Sequence, residues 1–284
     1  MIRISRTNII AACLLVSSAL ILNGCGGGAS AVPKVTVKPA TEFNPGGSGA
    51  SDTETPGEKI ETPPAAGGFG TLTGVFKYNG PAVTRASIAS GVKADQVNIC
   101  VADKILSEKL IVNDGKIQNV FFYLKRKPKG GKDIPAPETP FVFDQKSCVF
   151  LTHAGLVRAG QEILIKNSDG IDHNTNTGGG KNSGFNFVVP GSGDNKLVFD
   201  LGESKPFLVK CDVHTWMTAY LLIQDHGYGA VSAADGTFTI PDLPVGKHRF
   251  DIWHEGNYLQ QNFTVEIKPG DNDIEIEFAA DKFN

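Results

Sequence analysis

The chain has 284 residues, with 27 Lys and Arg, 30 Asp and Glu, and a formal net charge of −3 at pH 7. This mildly acidic balance argues against nucleic acid as a partner, because surfaces that bind nucleic acid are strongly basic. The length is sufficient for one large β domain or for two smaller ones, each able to bury a core.

The first residues have the pattern of an export signal. A positively charged start precedes an apolar stretch at residues 9–22, which is too short to span a bilayer. The stretch ends in Leu22-Asn23-Gly24-Cys25, which resembles the bacterial lipobox, where the cysteine becomes the lipidated N-terminus. We therefore predict a signal peptide over residues 1–24 and lipidation of Cys25. The protein would then be exported to the cell envelope or periplasm and held on a membrane by its lipid. An ordinary exported chain or an uncleaved segment is the alternative.

The next segment has the composition of a linker. Residues 26–68 are rich in Gly, Pro, Ser, Thr, Ala and Glu and contain few large apolar side chains. Such a composition buries too little apolar surface to offset the entropy lost on ordering. We predict that residues 25–68 form the lipidated N-terminus and a disordered tether.

From residue 71 onward the pattern is that of β-strands. Short runs of Val, Ile, Phe, Tyr and Thr alternate with turn signals such as Asn113-Asp114-Gly115 and Asp235-Gly236. Residues 110–124 and 230–240 each have the pattern of a hairpin. No long segment has helical periodicity, so we predict an all-β fold made of one sandwich or of two.

One segment combines three side chains that bind soft metals. Cys211-Asp212-Val213-His214-Thr215-Trp216-Met217 has the spacing Cys-x2-His-x2-Met and lies between two predicted strands. Thiolate and imidazole ligands suit copper in both oxidation states, and a long axial thioether tunes its potential. Met217 is the only methionine apart from the initiator, so we interpret the segment as part of a copper site. A buried structural cysteine with a core methionine and an unrelated histidine is the alternative.

A second imidazole follows another predicted strand. The step His173-Asn174 comes shortly after the apolar run at residues 163–166. With this step and the downstream loop, residues 141–224 resemble the cupredoxins (plastocyanin, azurin and amicyanin). The resemblance implies a Greek-key cupredoxin sandwich in which Asn174 fixes the loop that carries the cysteine. It also implies that one type 1 (blue) copper ion is bound by His173, Cys211, His214 and Met217.

Three cysteines remain once the signal peptide and the lipidated residue are set aside. An exported protein with three thiols suggests one disulfide and one cysteine with another role. Because the copper assignment takes Cys211, we predict that Cys100 and Cys148 form the disulfide. Three unpaired buried thiols are the alternative.

A wider similarity extends over residues 70–256. This region resembles a group of bacterial exported cupredoxin-like proteins that are labelled methylamine utilisation proteins. The matching segments are Cys148 to His153, Asp235 to Ile240 and Trp253-His254-Glu255. Thr215 departs from the group's pattern, in which a proline usually precedes the tryptophan; the change loosens the loop but removes no ligand.

The C-terminal part of the chain resembles a second kind of sandwich. Residues 229–278 are similar to a carboxypeptidase-regulatory or transthyretin-like β-sandwich, whose usual opening strand is matched by residues 70–76. We predict that residues 69–128 and 226–284 are its two halves and that residues 129–225 are the copper domain. The copper domain is either inserted into the second sandwich or followed by it.

The other histidines have weaker patterns. His153 comes five residues after Cys148, so it either lines the copper loop as a possible auxiliary metal ligand or has a structural role. His254-Glu255 is either a metal pair or a polar contact at a strand end. His226 and His248 have no companions in the sequence.

These patterns together indicate a cell-envelope copper protein that mediates one-electron transfer with redox partner proteins that the sequence does not identify. The sequence has no paired carboxylates, Ser/His/Asp arrangement or phosphate-binding glycine loop that suggests catalysis, so we predict that the protein is not an enzyme. Two rival interpretations remain. One is a periplasmic copper-binding carrier, and the other is a cell-surface β-sandwich binding module with a vestigial metal site.

Overall fold

The computed structural model describes residues 67–283 and the backbone of residues 35–37. The predicted signal peptide, the lipidation site Cys25 and most of the predicted tether lie outside the described residues. Residues 35–37, which fall within the predicted tether, form a short strand along the edge of a sheet.

Nearly all regular structure in the described chain is β, which confirms the predicted fold class. The first strands are β1 (Val35–Val37), β2 (Phe69–Asn79), β3 (Val112–Asn113), β4 (Lys116–Ile117) and β5 (Phe121–Leu124). The middle strands are β6 (Phe141–Lys146), β7 (Val149–Phe150), β8 (Ala154–Arg158), β9 (Glu162–Asn167), β10 (His173–Thr177), β11 (Asn186–Val189), β12 (Asp194–Val198), β13 (Phe207–Lys210) and β14 (Thr218–Gln224). The last strands are β15 (Gly229–Val231), β16 (Thr237–Pro244), β17 (Gly246–His254), β18 (Asn257–Ile267) and β19 (Gly270–Ala279).

The described helices are short. Both are 3-10 helices, at Ala102–Lys104 and Ala280–Phe283. Neither has the length and hydropathy that a membrane-crossing helix requires.

One β-sandwich is built from the first and last strands. One of its sheets has the order β1-β19-β2-β4-β3, with β16 also pairing with β2, and the other has the order β15-β5-β17-β18. Alternate residues of β2 point inward, so that Leu72 and Phe76 are fully buried. Phe122 of β5 packs across the sandwich against Phe76 of β2 and Phe238 of β16, with ring centroids 5.8 Å and 4.9 Å apart. The two inner faces therefore share one aromatic core.

The other sandwich is built from the middle strands. Its sheets have the orders β12-β9-β6-β7 and β11-β10-β13-β14-β8. Ile163 and Ile165 of β9 face its core with the period of two of a β-strand. Cys100 and Ile105 lie in this same core, although we predicted that residues 69–128 belong to the sandwich of the first and last strands. The disulfide between Cys100 and Cys148 holds this segment against the middle strands.

The middle strands occur between two strands that pair with each other. β5 precedes them in the chain and β15 follows them, and Tyr123 of β5 pairs with Gly229 of β15. A small apolar cluster of Phe121, Tyr123, Leu222 and Trp253 contains residues from both sets of strands. The domain boundaries at residues 129 and 225 remain predictions. The pairing of β5 with β15 is the connectivity expected if the middle strands are inserted into the sandwich of the first and last strands.

Candidate metal centre

The strand order brings the predicted ligands to one end of a sheet. β10 begins at His173, and its neighbour β13 ends at Lys210, directly before Cys211. Because neighbouring antiparallel strands run in opposite directions, the start of β10 lies beside the end of β13. The loop from Cys211 to Met217 then closes tightly. The N–H of Cys211 donates to Met217 O (3.1 Å), and the N–H of Met217 donates to His214 O (2.9 Å).

Three of the four predicted ligands present their donor atoms to one point. One donor atom each of His173, Cys211 and His214 lies within 4.8 Å of the others. The two histidine Nδ1 atoms are 2.9 Å apart, and the N–H of His214 donates to Cys211 Sγ at 3.3 Å. Met217, the fourth predicted ligand, is buried in the same core. A thiolate and two imidazoles, with a thioether buried in the same core, form a donor set that fits copper.

The electrostatics of the three donors are coupled. Burial raises the pKa of Cys211, but hydrogen bonds from His173 and from backbone N–H groups outweigh burial, so its pKa lies below the ordinary value. The deprotonated thiol is the form that binds metals. Burial lowers the pKa of His173, but hydrogen bonds to Asp169 and Cys211 raise it to about 9. Burial and the neighbouring charge of His173 lower the pKa of His214 to about 4. A cation bound here would therefore have to displace a proton from the His173 ring.

Asn174 contacts the loop that carries the cysteine through several hydrogen bonds. Its Oδ1 accepts hydrogen bonds from the N–H groups of Asp212 (2.6 Å) and Val213 (3.3 Å) and from Cys211 Sγ (3.3 Å). Its Nδ2 donates to Asn186 and to the carboxylate of Asp212. One buried side chain thus fixes both the backbone after the cysteine and the sulfur itself.

Asp169 is a site residue that the sequence analysis missed. Its Oδ2 accepts a hydrogen bond from His173 Nε2 at 2.8 Å, and its two oxygens accept from the N–H groups of Ser147 and Cys148 at 2.7 Å and 2.9 Å. Burial raises the pKa of Asp169, but these hydrogen bonds lower it below the ordinary value. A carboxylate on the outer nitrogen of a ligating histidine orients the ring and makes it more basic. The available signal was an aspartate four residues before the histidine and two residues after the end of a strand.

We expect Asp169→Asn to weaken copper binding by about 10–100-fold, which is the usual effect of removing such a partner. The amide keeps the shape of the carboxylate but cannot accept from all three donors at once. Competition with a chelator for the metal measures the affinity. The matched control is Asp200→Asn, at an exposed position, and it should leave the affinity unchanged. Equal affinities for the two variants would contradict this role of Asp169.

The sequence also did not reveal that neighbouring side chains cover His214. His214 Nε2 is 3.2 Å from Gln96 Oε1 and 3.9 Å from Cys100 Sγ. The ring of Trp216 lies beside the imidazole with centroids 5.2 Å apart, and its Nε1–H donates to Cys148 O at 2.9 Å. The predicted partners Cys100 and Cys148 form a disulfide, while Cys211 is a free, buried thiol. The disulfide therefore covers the outer edge of His214.

His153 is placed away from the three donors. Its Nε2 is 2.6 Å from Glu255, and its Nδ1 is 3.3 Å from Glu108 and 3.1 Å from Thr218 O. The two carboxylates approach opposite edges of the ring, and none of the candidate metal-binding groups among the described residues includes His153. Glu255 directly follows β17, so the pair joins the two sandwiches. Glu255 therefore makes a polar contact at the end of a strand. The neighbouring His254 is buried, and its Nε2 has no hydrogen-bond partner among the described residues.

We expect the ion pairs of His153 to make stability depend on pH. Burial lowers the pKa of His153, but its bonds with Glu108 and Glu255 raise it from 6.5 to about 9. A raised pKa stabilises the fold below the unfolded value of about 6.5, and this contribution is lost as the pH rises through 9. The free energy of unfolding should therefore fall by about 2–3 kcal/mol from pH 6.5 to 9.5 on this account.

Urea unfolding at several pH values measures this slope. His153→Gln should reduce it relative to the parent protein. His173 also titrates in this range in the metal-free protein, so the quantity of interest is the difference between variant and parent. An unchanged slope in His153→Gln would contradict the assignment.

A large cavity of the structure lies elsewhere. It has a volume of about 970 Å³ and lies in the sandwich built from the first and last strands. Its lining includes the basic residues Arg126, Lys129, Lys247 and Arg249. None of the four predicted ligands lines it. The candidate metal centre is instead a closed site, in which the ligand side chains are 0–2% exposed.

Comparison with known proteins gives low similarity. No family model and no curated protein matches the chain. A reduced Cu(I) form of an amicyanin variant is 15% identical, covers 31% of this chain and 85% of its own, and has a TM-score of 0.28. An oxidised amicyanin variant is 14% identical, covers 36% of this chain and 91% of its own, with a TM-score of 0.28. A Cu-containing nitrite reductase from Thermus scotoductus SA-01 is 11% identical, covers 33% of this chain and 25% of its own, and also has a TM-score of 0.28.

Proposed function

We propose that the protein is a type 1 copper protein of the cell envelope that transfers one electron at a time. The observation that carries the proposal is the convergence of His173, Cys211 and His214 in a buried site, with Met217 closing the same loop. These residues match the donor set of a blue copper site in kind and in number.

In this proposal each residue of the site has a defined task. Cys211, His173 and His214 would hold the ion strongly, and Met217 would be a weaker ligand that tunes its potential. Bound copper would supply a one-electron couple between Cu(II) and Cu(I). Asp169 orients His173, and Asn174 fixes the loop around Cys211, so the donors keep their positions whatever the charge at the centre. Burial excludes water, which would otherwise reorganise around each change of charge.

The same burial supports a carrier of electrons over an enzyme. A catalytic metal site keeps an open position for water or substrate. Here the four ligand side chains are 0–2% exposed, and His214 is further covered by Gln96 and the disulfide. We propose that electrons cross this cover, while substrates do not enter.

The reduction potential and the self-exchange rate of the copper-loaded protein test the proposed function. An electron carrier should cycle reversibly between both oxidation states, with a high potential and rapid self-exchange. A copper carrier holds the metal with the same ligands but has no need to cycle quickly. Slow or irreversible cycling together with tight Cu(I) binding would indicate a copper carrier and contradict electron transfer.

We further propose that Cys25 is lipidated and holds the exported protein on a membrane. The support comes from the sequence alone, because Cys25 lies outside the described residues. The native protein should partition into detergent with the membrane fraction and resist salt washing, since two or three acyl chains hold firmly. Cys25→Ser should release or stall it. Recovery of a soluble native protein that begins at a residue other than Cys25 would contradict the anchor.

A further inference from the structure

The Cys100–Cys148 disulfide lies against the outer nitrogen of a proposed copper ligand. Cys100 Sγ is 3.9 Å from His214 Nε2. The two sulfurs and a His214 nitrogen all lie within 4.8 Å of one another. Metal–sulfur and metal–nitrogen bonds are about 2.0–2.3 Å long. Donor atoms this close together can therefore all contact one ion without a large movement of the backbone.

We propose that this disulfide, when reduced, forms a second metal site with His214 that binds Cu(I). The oxidised sulfurs are poor donors, whereas thiolates are soft ligands that select Cu(I). The reductant is a dithiol. The Cys100–Cys148 bond breaks, a disulfide forms in the dithiol, and two thiols appear in the protein. Each thiol loses its proton to solvent when the metal binds. The site shares His214 with the one proposed above but uses two different sulfurs.

The surrounding structure holds Cys148 in place without the covalent bond. Ser147 and Cys148 have φ values of 55° and 58°, so both occupy the left-handed region that is unfavourable for these residues. Their N–H groups donate to the carboxylate of Asp169, which fixes this turn. Trp216 donates to the carbonyl of Cys148 and packs on His214. Reduction would therefore leave one sulfur and the imidazole close together.

The chain on the other side of the bond is also held. Cys100 is 1% exposed and packs in the core of the middle strands together with Ile105. Gln96, one turn before Cys100, has its side-chain oxygen 3.2 Å from His214 Nε2. This oxygen is the group that an ion bound to Nε2 would displace. The contact between His214 and Gln96 would be replaced by a bond from His214 to the metal. The protein would then be able to carry Cu(I) under reducing conditions.

The test uses the full chain with Cys211→Ser, which disables the first site and leaves both other cysteines in place. After anaerobic reduction and removal of the dithiol, the chain is titrated with Cu(I) against a competing chelator. We expect one equivalent to bind to the reduced chain, with near-ultraviolet thiolate-to-copper absorption and two sulfurs and one nitrogen seen by X-ray absorption. The same chain with its disulfide intact should not compete with the chelator.

The matched control carries Cys100→Ser and Cys148→Ser in addition, and it should bind no Cu(I) under either condition. Near-ultraviolet circular dichroism of the reduced chain establishes that it is folded. No binding by the folded reduced chain, equal binding by the oxidised chain, or loss of the fold on reduction would each overturn the proposal. The first site is tested separately with the disulfide intact, so failure of one site leaves the other standing.

Discussion

The combined substitution Cys100→Ser/Cys148→Ser should lower the free energy of unfolding by about 4 kcal/mol. The bond joins residues separated by 48 positions, and its loss gives the unfolded chain the entropy of an open loop of that length. Both sulfurs lie in the core of the middle strands, so the effect should fall on that sandwich. Urea unfolding of the metal-free protein, followed by tryptophan fluorescence, measures the difference.

The matched control for this prediction is the parent protein with its disulfide reduced, which should unfold at the same urea concentration as the double variant. Because small domains are stable by about 5–15 kcal/mol, the protein should remain folded without the bond at 25 °C. Peptide mapping of the unreduced, metal-free protein checks the pairing itself. A peptide that joins Cys211 to either of the other two cysteines would contradict the assignment, as would a double variant that is as stable as the parent.

The substitution Cys211→Ser should abolish the intense visible absorption that we expect of the Cu(II) protein. That absorption requires a copper–thiolate bond, and Cys211 is the free cysteine that lies beside both histidines. Met217→Leu should keep the colour and raise the reduction potential, because the axial ligand tunes the potential without supplying the thiolate. Absorption spectra and voltammetry of the copper-loaded variants measure the two effects.

Val213→Ala is the matched control in the same loop, because the Val213 side chain is 50% exposed. It should change neither the colour nor the potential by much. Colour that survives Cys211→Ser would show that another residue supplies the thiolate. A Met217→Leu protein that loses its colour would show that the methionine does more than tune the site.

The sequence predicted well what depends on short segments. Individual strands could be predicted from short apolar runs, but the hairpin predicted at residues 230–240 was wrong, because β15 pairs with β5 and β16 pairs with β2 in a different sheet. The step His173-Asn174 and the loop from Cys211 to Met217 are also continuous segments. Their meeting at one end of a sheet follows once their strands are known to be neighbours.

The sequence could not predict contacts that depend on how distant segments pack. Gln96 and Cys100 reach His214 across more than a hundred residues, from a stretch without strand or helical periodicity. His153 meets Glu255 across a similar separation, and a pair of this kind leaves no local pattern. Asp169 was close in sequence to His173, but its role depends on the turn at Ser147 and Cys148, which pairing of β6 with β9 brings beside it.

Titration of the metal-free protein with Cu(II) tests the central claim most directly, with the visible absorption spectrum and the electron paramagnetic resonance spectrum as readouts. We predict that one equivalent produces an intense visible band and a small copper hyperfine splitting, and that further copper adds nothing to either. Both signals come from a short copper–thiolate bond in a site with two imidazoles and a weak axial ligand. A colourless Cu(II) complex with a large hyperfine splitting would contradict the assignment of His173, Cys211, His214 and Met217 as a type 1 copper site.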